Sequence, residues 1–141
     1  MAEPKLVIFV PDIMEGTAGT GVRAAFLKCA CEDAGLSHGV ERVMRAVGQA
    51  QVDSGVPVTV NTSAHTQSGL VAQKVLEQEG VDLSKVVIGH SGDSTDLDYL
   101  CALADKGSLL GMDRFGLDVL LPFEQRLDTV AELARVRAIS R

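Results

Sequence analysis

The chain has 141 residues, about one domain's worth, and a chain of that length buries roughly 70% of its unfolded surface on folding. At 46% hydrophobic and 23% charged residues it has the composition of a globular protein, which sets aside disordered and fibrous classes. A formal charge of −6, no Trp and a single Tyr argue against nucleic acid or an anionic membrane as the main partner.

The longest apolar run, residues 6–10, is far short of the roughly 20 residues of a membrane span. No charged-then-apolar leader opens the chain, so no secretory signal is expected. Three cysteines are odd in number and sparse, which disfavours a disulfide scaffold and points to a reducing, cytoplasmic setting.

Residues 5–10 have the composition of a strand, while Pro11 and Asp12 also suit a helix over residues 12–15. The stretch Gly16-Thr-Ala-Gly19-Thr-Gly21 runs into an apparent strand. A phosphate loop follows a strand and opens a helix, so this one reads as a plain turn. Strands are predicted over residues 21–30, 56–62, 85–90 and 108–113 from their apolar and β-branched content.

Helical period separates them. After Ser37, Val40, Val43, Met44, Val47 and Ala50 share a face. Ser68 suits an N-cap for a helix carrying Leu70, Val71, Val75 and Leu76, with Gly80 as its stop. Asp96 suits a third, burying Leu97, Leu100, Cys101 and Ala104 and ending at Gly107. Pro122 opens a fourth, with Phe123, Leu127, Val130 and Ala134 as its stripe. Regular alternation of strand and helix predicts an α/β fold with a parallel sheet, in one domain.

Strands of such a sheet are mostly apolar on both faces, so the polar residues within them call for an explanation. Lys28 shares a face with Phe26 and Ala30, while Leu27, Cys29 and Cys31 take the other. A lysine there snorkels to solvent, or is paired, deprotonated or modified. Asn61 and His90 end their strands, where α/β folds place ligands; a lone His in that place is also commonly a hydrogen-bonded structural residue.

His65 reads as a loop residue, and His38, at a helix start, carries no signal. Asp93, Asp96 and Asp98 lack the spacing and final Glu of a calcium loop, so a solvated loop and a helix cap account for them. Arg114 suits an anion or carbonyl clamp, or a pair with Asp113 or Asp118. Cys29 and Cys31 are spaced for a strand face and not for a zinc knuckle, and no Gly-x-Ser-x-Gly elbow occurs.

Four stretches in order resemble the phosphotriesterase family: Gly19-Thr-Gly-Val-Arg-Ala-Ala-Phe-Leu-Lys-Cys-Ala30, Gly55-Val-Pro-Val-Thr-Val-Asn-Thr-Ser-Ala-His65, Val86-Val-Ile-Gly-His-Ser-Gly-Asp93 and Gly111-Met-Asp-Arg-Phe-Gly-Leu-Asp118. The resemblance covers residues 12–133, and the last stretch is similar to the lactonase branch. It implies a (β/α)8 barrel with up to two metal ions, Zn2+ or Co2+ or Fe2+, at the carboxyl ends of the strands. The family's strand-four lysine is carbamylated and bridges both metals, and Lys28 matches it; the modification turns a cation into a carboxylate-like anion. His90 matches the strand-six histidine ligand, and Arg114 matches the strand-seven arginine of the substrate pocket. The implied activity is hydrolysis of organophosphate triesters or lactones by a metal-bridging hydroxide.

The departures are specific. Asn61 stands where the family has a histidine ligand, and an amide oxygen replaces imidazole poorly at zinc or cobalt. No His-x-His pair occurs, and no strand-eight aspartate follows the last helix. A barrel of this kind takes about 250 residues, so residues 1–141 are expected to form one partial barrel of strands four to seven. Residues 1–20 would then be a remnant of the preceding helix or a new edge strand. Half a barrel leaves two sheet edges and an inner face uncovered, which predicts a homo-oligomer and impaired activity. The rival expectations are a non-catalytic half-barrel module that pairs with another chain, and a flavodoxin-like open sheet that binds a small anion.

Overall fold

In the computed structural model, which describes residues 4–139, four parallel strands pair in chain order. They are β1 (Leu27–Cys31), β2 (Val58–Thr62), β3 (Val86–Gly89) and β4 (Leu109–Leu110). Helices α2 (His38–Ser54), α3 (Ser68–Gln78) and α4 (Leu97–Asp105) connect them, α5 (Phe123–Ile139) follows β4, and α1 (Pro4–Met14) precedes β1. The α/β class and the parallel order agree with expectation. Among the described residues no helix is long and apolar enough to cross a membrane.

Strand alternation sorts the side chains into two faces. Leu27, Cys29 and Cys31 of β1, Val58 and Val60 of β2, and Val86 and Ile88 of β3 are buried. Met44, Val47, Ala72, Val75, Leu76, Leu100 and Leu103 of the helices complete that core. The opposite face carries Lys28 and Ala30, both exposed, with Thr59, Asn61 and Val87 half-buried and Leu109 59% exposed. The strands are therefore not apolar on both sides, because helices cover only one of them.

Every predicted strand is shorter than expected. Residues 22–26 are irregular and mostly exposed, so β1 begins only at Leu27, whose N–H bonds the Pro57 carbonyl at 2.9 Å. Strand β4 stops after two residues, with the Gly111 N–H making a last bond to the Ile88 carbonyl at 2.8 Å. His90 falls outside β3, while Asn61 is followed by one further residue of β2. Residues 5–10 are helical and not a strand, and the helix starts well before residue 12, with Pro11 inside it. Residues 1–3 and 140–141 lie outside the described residues. The glycine-rich turn is as expected: Gly16 has φ 111°, and a Cβ there would meet Gly21 at 2.8 Å.

The caps hold with one exception. Ser37 Oγ accepts from the Val40 N–H at 3.3 Å, and Asp96 Oδ1 accepts from the Tyr99 N–H at 3.0 Å. Ser68 is not the N-cap of α3; Gln67 holds that position in the left-handed region. The Ser68 hydroxyl instead donates to the Cys31 carbonyl and accepts from the Ser63 N–H at 2.9 Å, tying α3 to the end of β1. Two stripe residues, Val43 and Val71, are exposed, because the buried faces turn toward Ala46 and Ala72.

The stripe expected for α5 is also displaced. Phe123 and Leu127 are exposed, while Arg126 and Thr129 are buried. The helix docks its buried face on the loops at the carboxyl ends of β3 and β4, whose carbonyls and carboxylates call for a donor.

Candidate functional site

Lys28, the second residue of β1, faces the side of the sheet without helices. Its amine has no hydrogen bond or ion pair among the described residues. In register it stands opposite Thr59, which stands opposite Val87, whereas Asn61 stands between Ala30 and Gly89. Lys28 and Asn61 thus share the open face in successive rows, roughly 7 Å apart along the strand.

His90 follows β3 with φ 65°, a left-handed conformation uncommon outside glycine. The carboxylate of Asp113, beyond β4, grips it twice: Oδ1 lies 3.1 Å from Nδ1, and Oδ2 accepts the His90 N–H at 3.3 Å. A carboxylate on Nδ1 holds the proton there and leaves Nε2 as the basic nitrogen, the arrangement that orients metal-binding histidines and structural ones alike.

Arg114 is also left-handed, at φ 63°. It pairs with neither Asp113 nor Asp118; its Nη1 donates to Asp93 Oδ2 at 2.7 Å across the two loops. Asp93 is accordingly not a solvated loop residue. Its side chain is only 14% exposed, and its other oxygen accepts from Arg126 Nη1 at 2.5 Å. Arg126 escaped the sequence reading because a charged residue inside a helical stripe looks like a solvated position. Its one signal was that it sits four residues after Pro122, on the face that a helix turns toward the preceding loop.

A cleft of about 620 Å3 opens over the strand ends, lined among others by Glu32, Asp33, Thr62, His65, Asp93, Asp96 and Arg114. Lys28, Asn61 and His90 do not line it. The structure therefore brings Arg114 to the cleft and joins His90 to Asp113, but no hydrogen bond or ion pair joins Lys28, Asn61 and His90 within the described residues. His38 lies exposed at the start of α2. Burial pushes the Cys29 thiol up to about 12, with the neighbouring Cys31 adding to it, so this cysteine is an inert core residue.

As a donor set for a divalent cation these residues fit in part. His90 keeps Nε2 available, and an amine without a partner is one that CO2 can carbamylate. Asn61 contributes only an amide oxygen, and no group of three His, Cys, Asp or Glu comes together among the described residues.

Residues 3–138 match the model of the Phosphotriesterase family. The chain belongs to the phosphotriesterase family. It is 53% identical over 126 residues to a phosphotriesterase homology protein of Mycobacterium tuberculosis, covering 89% of this chain and 39% of that protein. It is 42% identical over 128 residues to an aryldialkylphosphatase of Saccharolobus solfataricus, covering 91% and 41%. A solved structure, described as the phosphotriesterase from Mycobacterium tuberculosis, superposes with a TM-score of 0.89 at 52% identity, over 92% of this chain and 40% of that one. The chain thus spans about two-fifths of the length of the relatives it matches, and its strands and helices are consecutive βα units of the phosphotriesterase TIM barrel. The family includes hydrolases, the aryldialkylphosphatase among them.

Proposed function

We propose that this chain is the strand-four to strand-seven part of a metal-dependent hydrolase that cleaves organophosphate triesters or lactones. The observation that carries the reading is the grip of Asp113 on His90, which leaves Nε2 basic at the carboxyl end of a parallel strand. Lys28 as its carbamate and His90 hold the cation, Asn61 occupies the place of a histidine donor, and Arg114 contacts substrate from the cleft wall. Bound Zn2+ or Co2+ supplies Lewis acidity toward a phosphoryl or lactone carbonyl oxygen. The protein's share is to fix the His90 ring, to present an anion at Lys28, and to orient an ester beside Arg114.

With two conventional donors, the 141-residue chain by itself turns over slowly. Elemental analysis with and without bicarbonate, followed by lactone and aryl phosphotriester assays in added Zn2+ or Co2+, tests this. Bicarbonate-dependent metal retention that Lys28→Met abolishes supports the reading. Metal content indifferent to both bicarbonate and Lys28 refutes it.

A second reading is a non-catalytic half-barrel that pairs with another copy. It is favoured by the outer edges of β1 and β4, which have no strand partner among the described residues, and by exposed Phe26 and Leu109. Light scattering decides: a monomer that binds little hydrophobic dye counts against it.

A further inference from the structure

The two loops that carry His90 and Arg114 meet on a single side chain. Arg126, fully buried, donates through Nη1 to the Gly92 carbonyl at 2.7 Å, to Asp93 Oδ1 at 2.5 Å and to the Asp113 carbonyl at 3.4 Å. Its Nη2 reaches the Leu117 carbonyl at 3.4 Å, and its Nε the Leu121 carbonyl at 3.0 Å. Gly92 and Asp93 belong to the loop after β3; Asp113, Leu117 and Leu121 belong to the loop after β4. A planar guanidinium with five donors spans such a set, and an ammonium does not.

The grip extends to both candidate residues. Asp93, neutralised by Arg126, turns its second oxygen to Arg114. Asp113, held at its carbonyl, turns its carboxylate to His90 Nδ1. Arg126 makes no hydrogen bond to His90 or Arg114 and reaches the cleft wall only through Asp93 and the Leu121 carbonyl.

We propose that Arg126 is the positioning residue of this site: it joins the two strand-end loops so that the Asp113 carboxylate stays on His90 Nδ1 and fixes the direction of the ring. The inference rests on the reading of His90 as a donor only for its functional meaning. Its test is made without metal or substrate, so it fails or stands separately from the hydrolase reading.

The test uses the full chain. Long-range 15N–1H spectra of the His90 ring, assigned with His90→Gln, report which nitrogen carries the proton, and amide exchange reports the two loops. The wild type shows Nδ1–H. In Arg126→Met that signature gives way to Nε2–H or a mixture, and exchange at residues 91–94 and 111–121 speeds by about tenfold or more, while β1, β2 and α2 keep their protection. Arg126→Lys fails to rescue either readout, because charge without the fork does not span both loops. Asp113→Ala changes the ring signature and leaves the loops protected.

An unchanged Nδ1–H in Arg126→Met, or full rescue by lysine, overturns the proposal. Should the methionine variant not fold, the lysine variant decides by the same two readouts.

Discussion

Lys28 and Thr59 stand opposite one another in the parallel ladder of β1 and β2, on the sheet face that no helix covers. A long cationic side chain in that position buries little and pairs with nothing among the described residues. Stability gives no reason for a lysine there. Lys28→Ala is therefore expected to shift the unfolding free energy by no more than about 0.5 kcal/mol, read from urea midpoints. A loss above about 2 kcal/mol would show that the amine has a structural task.

Asn61 is the weakest donor of the proposed site. Asn61→His places an imidazole on the same open face, and zinc retention is expected to rise by at least about tenfold, since even outer partners of metal ligands change affinity by that order. Competition with a chromogenic chelator measures it. No gain, in a variant that melts like the wild type, places the cation elsewhere.

Ser68 is expected to matter more than its cap-like sequence position suggests. Its buried hydroxyl serves the Cys31 carbonyl and the Ser63 N–H, so Ser68→Ala leaves two backbone groups without that partner. The expected cost is about 1–3 kcal/mol. Thermal melts check it, with Ser37→Ala, a true cap, as the comparison at about 1 kcal/mol.

Alkaline stability should carry the signature of β1. The Cys29 thiol ordinarily titrates at 9.0 and is pushed up to about 12 by burial. Below 9 the thiol is protonated in both states and its stabilisation is complete. As pH rises from there toward 12 the unfolded chain holds fewer protons than the native one, so stability falls, by at most about 1.4 kcal/mol per pH unit from this group. Urea midpoints measured from pH 9.0 upward should decline less steeply in Cys29→Ala. Equal slopes would assign the decline to other groups.

The residues differ in how legible they were. Lys28 was visible because a period of two in β1 leaves a lone charge between buried neighbours, and strand alternation is a local rule. Ser37 and Asp96 were visible as caps because the hydroxyl or carboxylate that precedes a helix reaches an N–H three residues on. Asp93 and Arg126 were not, because they are 33 residues apart in sequence and each is a surface residue by type. Only the packing of α5 across both loops makes them a buried pair.

The sequence by itself determined the order of strands and helices from β1 onward, their parallel sense, the caps of α2 and α4, and membership of a family whose motifs sit at strand ends. These follow from periodicity and short-range hydrogen bonding, which act within a few residues. Only the tertiary structure decided where the strands stop, which face stays open, that Ser68 serves β1, and that Arg126 rather than an apolar stripe seats the last helix. Those outcomes depend on which backbone carbonyls and carboxylates lose water when distant loops meet, and a buried acceptor takes whatever donor the packing brings to it.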